Sequence, residues 1–262
     1  MSYSLFCKNI TASYPTKEIL HNVSLTLNEG EMIALCGLNG SGKSTLLSLL
    51  AGLNSHLLKI TNSEVYPSIK NRENVKAIKD MKRNEVAKYI SFMQQSEYSV
   101  WDFNVFDFIL QGRFPYTKSG LYSKKDKEIV DNVIEELSLG ELKNRNIHSL
   151  SGGEMQKVKI ARCLAQNPKF ILLDEPSSSL DVVFEPRLLM LLKELTIKKN
   201  IGILLSIHDI NITSEIADKV CLLNNSGIIC GSYKDVVTLD NLKTTFGVDF
   251  QCSEKKYFQL LQ

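Results

Sequence analysis

The order of strand, loop and helix along this chain predicts an α/β fold built on a parallel sheet, and three stretches carry that expectation. Met32–Cys36 is continuously apolar, runs straight into the glycine-rich Gly37–Gly42, and is followed by a helical run from Ser44 to Ala51 with Gly52 placed to end it. Phe170–Leu173 and Ile201–Leu205 are apolar runs of strand length separated by a helical stretch around Leu188–Ile197, and strands joined through a helix lie parallel in one sheet. Val220–Leu223 and Ile228–Cys230 flank Asn224-Asn225-Ser226-Gly227, a turn sequence that predicts an antiparallel hairpin.

The remaining elements follow in order. Val23, Leu25 and Leu27 alternate with Ser24 and Thr26, the mark of a half-buried strand, and Asn28-Glu29-Gly30 supplies its turn. From Lys59 to Arg83 the chain is polar and mostly basic, shows neither strand nor helix period, and is left without assignment. Asn104 is placed to cap a helix running through Gln111. Ser123 precedes an amphipathic helix that sets Ile129, Val130, Val133, Ile134 and Leu137 on one face. A short helix-and-strand tail ends the sequence, and no internal repeat is visible.

Composition narrows the class. The chain has 262 residues, 44% of them apolar and 23% charged, the balance of a folded globular protein. No apolar run approaches the roughly 20 residues that span a bilayer, and Met1–Leu5 lacks the basic and apolar regions of a secretory signal, so the cytoplasm is the expected compartment. A net charge of +2 argues against a broad nucleic-acid surface. The six cysteines stand singly, without a C-x-x-C pair, and are expected to be inert thiols packed as small apolar residues.

Gly37-Leu38-Asn39-Gly40-Ser41-Gly42-Lys43-Ser44 satisfies G-x-x-x-x-G-K-[ST] between a strand and a helix, the context its chemistry requires. The glycines let backbone N–H groups curl around a β-phosphate, Lys43 reaches the β- and γ-oxygens, and Ser44, followed by Thr45, can hold magnesium. This loop alone defines a P-loop nucleotide binder and leaves kinase, GTPase and motor open. Phe170-Ile171-Leu172-Leu173-Asp174-Glu175 is a buried strand ending in two acids. Beside a P-loop, Asp174 can serve the metal and Glu175 can polarise a water for in-line attack on the γ-phosphate.

Leu150-Ser151-Gly152-Gly153-Glu154-Met155-Gln156, just ahead of a helix, resembles the signature motif of the ABC ATPases. Ser151 and its two glycines form a second anion cradle, which in that family belongs to the opposite subunit. The rest of the family pattern appears in order. Tyr14, before Pro15, looks like the aromatic that stacks on adenine, Gln94 like the glutamine of the Q-loop, Asp181 like the D-loop aspartate, and His208 like the switch histidine at the γ-phosphate. The resemblance spans essentially the whole chain.

That resemblance implies one P-loop NTPase ABC nucleotide-binding domain over residues 1–262. It would comprise a RecA-like parallel-sheet core, an antiparallel β subdomain and a helical signature subdomain at about 96–166. ATP and magnesium are the implied cofactors, with Ser44, Gln94 and Asp174 at the metal, Glu175, His208 and Lys43 catalytic, and each ATP between Gly37–Thr45 of one copy and Ser151–Gly153 of a second. The implied partners are that second copy, polytopic membrane permease subunits at the cytoplasmic face of the membrane and, indirectly, an extracytoplasmic substrate-binding protein, with no nucleic acid. Val105–Tyr116, above all Gly112-Arg113-Phe114-Pro115-Tyr116, is similar to the helix after the Q-loop in importers of iron siderophores, haem and cobalamin, as is Phe246-Gly247-Val248-Asp249 near the end. In such a subunit the block from Gln94 to Tyr116 docks the permease, and Phe92, Trp101, Phe103 and Phe106 are the candidates to line the groove. A soluble ABC ATPase of assembly or repair, without a membrane partner, is the alternative. One departure from the pattern is His56–Arg83, which lacks any glycine. Asn62 and Asn71 are available for its turns, and Lys70, Arg72, Lys76, Lys79, Lys82 and Arg83 are expected to form a solvated face.

Overall fold

A computed structural model of the chain describes residues 2–53, 58–63, 65–71, 74–95, 101–178, 180, 183–252 and 258–260. The order of elements is β1 (Ser4–Tyr14), β2 (Lys17–Asn28), β3 (Met32–Cys36), α1 (Lys43–Leu50), β4 (Lys59–Asn62), β5 (Val65–Lys70), β6 (Val75–Ala77), α2 (Arg83–Val86), β7 (Ile90–Met93), α3 (Val105–Leu110), α4 (Lys124–Glu136) and α5 (Gly152–Ala165). After these come β8 (Phe170–Leu173), α6 (Phe184–Lys199), β9 (Gly202–Ser206), α7 (Thr213–Ile216), β10 (Lys219–Asn224), β11 (Gly227–Gly231), α8 (Tyr233–Val236), α9 (Leu239–Phe246), β12 (Phe250–Cys252) and β13 (Phe258–Leu260).

The expected parallel sheet is present as six strands in the order β11-β10-β3-β9-β8-β7, all parallel except the edge strand β11. Its central strands β3, β9 and β8 are buried at every position because both faces of the sheet are covered there. Met32, Ala34, Ile171, Leu173, Ile203 and Leu205 face one apolar cluster, shared with α3, α4 and α5. Their neighbours Ile33, Leu35, Phe170, Leu172 and Leu204 face the other, shared with α1 and the first hairpin. Each fully buried Leu or Ile in these layers contributes about 1.5–3 kcal/mol.

The second sheet is antiparallel, in the order β2-β1-β5-β6 with β4 also paired to β1. Lys59–Ala77, which showed no period, therefore supplies three short strands to this sheet. Its turn between β5 and β6 uses Asn71, whose side chain accepts from Asn74 N–H at 2.8 Å in place of a glycine turn. Lys70, Lys76, Lys79, Lys82 and Arg83 are exposed as expected, Lys76 paired with Glu85, while Arg72 lies outside the described residues.

Helix starts follow the sequence signals. Asn104 accepts from Asp107 N–H at 2.8 Å, and Ser123 and Ser151 each close a reciprocal capping box, with Asp126 and Glu154 respectively. Among the described residues no helix is long and apolar enough to cross a membrane.

The expectation of six inert thiols is corrected at one pair. Cys221 and Cys230 stand opposite each other in the β10–β11 hairpin, with Cα atoms 4.2 Å apart, and are joined by a disulfide. The turn pairs Asn224 with Gly227, and that register alone brings the two cysteines together. Cys7 and Cys36 fit the expectation, since burial pushes both thiols up to about 12.

Candidate active site

β3, β9, β8 and β7 are neighbours that end at one edge of the parallel sheet, and the residues just beyond those ends converge there. β3 feeds the glycine loop. Gly37 passes so close to β10 that an added Cβ would stand 2.3 Å from the Leu223 carbonyl oxygen. Gly42, the N-cap of α1, has a left-handed φ of 102°, and a Cβ there would press on Ile19. The buried Lys43 side chain curls back along this loop, its Nζ donating to the carbonyls of Gly37 at 2.9 Å and Leu38 at 3.1 Å. Burial lowers its pKa from the ordinary lysine value, and the carboxylates of Glu175 and Asp174 oppose that shift.

At the end of β8, Asp174 is buried and its N–H donates to the Met93 carbonyl at 2.9 Å, carrying the β7–β8 pairing one step past both strands. Glu175 has φ 48°, a left-handed conformation that costs a non-glycine residue about 1–2 kcal/mol. Its N–H donates to Ser206 Oγ at 2.7 Å, and the Ser206 hydroxyl donates in turn to Asp174 Oδ1 at 2.8 Å. The turned carboxylate meets two side chains: His208 Nε2 stands 2.8 Å from Oε1, and the Gln95 amide donates to Oε2. Ile19, Asn39, Gly40, Gly42, Lys43, Ser44, Thr45, Gln95 and Glu175 line one cleft of about 380 Å³.

The structure thus unites Lys43, Ser44, Thr45, Glu175 and His208, with Asp174 directly beneath. Gln94 does not line the cleft and Gln95 does: the register of Met93 with Leu173, continued by two residues, sets Gln95 level with Glu175. Tyr14 ends β1, half-buried against the antiparallel-sheet core, and does not line the cleft. Ser151, Gly152 and Gly153 sit at the start of α5, also outside it. Asp181 lies outside the described residues. Leu38 and Ser41 belong to the loop but border a second polar cleft beside the β10–β11 turn. Sequence reading missed Ile19, Gln95 and Ser206; the doubled glutamine was the signal for the second, and a lone hydroxyl ending the apolar run Ile203–Leu205 the signal for the third.

A larger, mainly apolar cleft of about 740 Å³ opens between the antiparallel arm and the helical block, with Leu53, Ile60, Met81, Phe92, Phe114 and Pro115 on its walls. Of Phe92, Trp101, Phe103 and Phe106, Phe92 alone lines this cleft. Trp101 is 73% exposed elsewhere, while Phe103 and Phe106 pack on the core shared with α3–α5. The Gly112–Tyr116 segment has a packing reason. A Cβ on Gly112 would meet the Arg162 carbonyl oxygen at 2.3 Å. Arg113 is buried between Asp126 Oδ1 at 3.0 Å and the Ala165 carbonyl at 2.8 Å, and Tyr116 donates to the Gln166 carbonyl at 3.0 Å. Burial pushes the Asp126 carboxyl up, but hydrogen bonds from Ser123 and the Arg113 guanidinium outweigh it and hold the group below the ordinary aspartate value.

A glycine loop with its lysine, two acids at the end of β8 and a glutamine and a histidine on the second acid together define a P-loop ATPase. The sequence profile of the ABC transporter family matches residues 20–178, and the chain belongs to that family as an ATP-binding, ATP-hydrolysing subunit. It is 32% identical to the petrobactin import ATP-binding protein FpuD of Bacillus anthracis, over 98% of this chain and 92% of the other. It is likewise 32% identical to the hemin import ATP-binding protein HmuV of Escherichia coli O157:H7, over 92% of this chain and 91% of the other. Among solved structures, an inward-facing ABC transporter assigned to the metal-chelate type superposes with a TM-score of 0.82 at 28% identity, covering 99% of this chain and 98% of that one.

Proposed function

We propose that this chain drives import of an iron-siderophore, haem or cobalamin type substrate, working as a head-to-tail homodimer docked on polytopic permease subunits at the cytoplasmic face of the membrane, with an extracytoplasmic binding protein delivering the cargo. The observation that carries the chemistry is the Glu175 carboxylate, held between His208 and Gln95 in the cleft lined by Lys43 and Ser44. The names of FpuD and HmuV support the direction and the substrate class, and weigh against a soluble assembly or repair ATPase.

In this reading Lys43 exchanges its two loop carbonyls for β- and γ-phosphate oxygens, and its three ammonium donors suit that exchange. Ser44, Gln95 and Asp174 supply hydroxyl, amide and carboxylate oxygens, the hard donors that magnesium takes. Held by these residues, magnesium would offset phosphate charge. Glu175 orients the attacking water in line with the γ-phosphate, and His208 steadies that phosphate as it leaves. Ser151–Gly153 of the second copy close each cleft from the opposite side, and Tyr14 stacks on the adenine.

The test is Glu175→Gln, which keeps the shape and removes the charge. Turnover should fall by at least about a hundredfold while ATP binding and a trapped dimer persist, whereas Lys43→Ala should lose binding itself. Full turnover in Glu175→Gln would falsify the water-positioning role. Affinity capture of the trapped form from detergent-solubilised cells should recover a polytopic membrane protein, and recovery of soluble partners alone would restore the assembly or repair alternative.

A further inference from the structure

We propose that Ser206 is a positioning residue for hydrolysis, its single hydroxyl setting the orientation of both acids at the end of β8. The inference rests on the reading in which Asp174 serves the metal and Glu175 the water. Ser206 ends a strand that is otherwise apolar and is itself 0% exposed. A hydroxyl in such a place is tolerated only where its hydrogen bonds are made, and here both are made to the two acids. The Glu175 N–H can only donate and the Asp174 carboxylate, when ionised, can only accept, so the hydroxyl proton has one available direction: it goes to Asp174 Oδ1 at 2.8 Å, and the oxygen takes the Glu175 N–H at 2.7 Å.

Two consequences follow from that geometry. The bond to Oδ1 fixes the rotation of the Asp174 carboxylate and so decides which oxygen is presented to the magnesium shell. The bond from the Glu175 N–H holds the peptide in the turn that gives Glu175 its φ of 48° and points its carboxylate at His208 and Gln95. An apolar residue at 206 would leave that N–H without its partner and let both acids rotate. Neither acid would be removed, so nucleotide affinity at saturating magnesium should survive while the metal requirement and the chemical step suffer.

The experiment uses the full chain with Ser206→Ala and, as a second variant of similar volume with a weak donor, Ser206→Cys. Three readouts are taken: kcat, the KM for ATP at saturating magnesium, and the magnesium concentration giving half-maximal binding of a non-hydrolysable ATP analogue. Both variants should lose about tenfold in kcat, raise the magnesium midpoint several-fold, and leave KM within about twofold. A lowered melting temperature with kcat and the magnesium midpoint unmoved overturns the proposal, as does a fall in kcat with the midpoint unmoved. Asp174→Asn and Glu175→Gln are measured alongside. If they keep full turnover, the underlying reading of the acids fails; if they lose it while both Ser206 variants behave as the native protein, only the role of Ser206 fails.

Discussion

Replacing Asp126 with asparagine removes one charge from a pair that is almost wholly enclosed, the Arg113 and Asp126 side chains being 7% and 8% exposed. The variant strands a buried guanidinium whose remaining partners are the Ala165 carbonyl at 2.8 Å and the face of Tyr116 at 3.9 Å. Breaking a buried pair at one end costs roughly 3–5 kcal/mol, and the two surviving contacts place this case near the lower end. For a chain of this size about 3 kcal/mol lowers the melting temperature by roughly 6–12 °C. The folded-state pKa of Asp126 is depressed, so its contribution is complete above the ordinary aspartate pKa and is lost as pH falls through the lower folded value. The gap between native and variant should therefore be constant at neutral pH and close below about pH 4. Urea denaturation and thermal melts of the full chain across pH 3–8 measure it. A loss smaller than about 1 kcal/mol at neutral pH would refute the buried-pair reasoning, as would a gap that widened in acid.

Gln95→Ala should lower ATP turnover by roughly tenfold to a hundredfold by releasing the Glu175 carboxylate, and Gln94→Ala should leave it within about twofold; steady-state ATPase rates decide, and the reverse ranking would return the role to Gln94. Phe114→Asp, at a groove-wall position that is 56% exposed, should leave the fold and the isolated ATPase intact while uncoupling hydrolysis from uptake in reconstituted vesicles. Unchanged coupling there would move the permease contact to another face.

The chemistry was legible in sequence because it hangs on backbone geometry that few residues permit. Gly37 and Gly42 occupy places where a side chain collides, and Asp174-Glu175 follow a strand whose fully apolar run marks it as central. What escaped reading depended on register. Gln94 and Gln95 are equivalent as letters, and only the pairing of Met93 with Leu173 separates them. The arm at Lys59–Ala77 escaped because its strands are 4, 6 and 3 residues long, too short for a period to show. Phe103, Phe106 and Phe114 are alike as letters, and only the fold separates them: the first two pack on the core shared with α3–α5, and the third lines the apolar cleft.

α5 links the signature serine, the turn after Glu175 and the wall of the apolar cleft. Its N-cap is Ser151, boxed against Glu154 and outside the cleft of its own chain. Gln156, next along, donates to the Pro176 carbonyl, one residue past Glu175. Its far end receives Gly112 against Arg162, Arg113 on Ala165 and, just beyond, Tyr116 on Gln166, so the groove wall formed by Phe114 and Pro115 is fastened to it. These contacts run from the N-cap Ser151 to the C-cap Gln166 of a 14-residue helix about 21 Å long. A helix with buried packing along that length does not bend to absorb a load at one end. On the proposed reading, a permease pressing on the groove wall therefore moves the signature serine and the turn after Glu175 together, which ties the closing of the paired clefts to the placing of the attacking water.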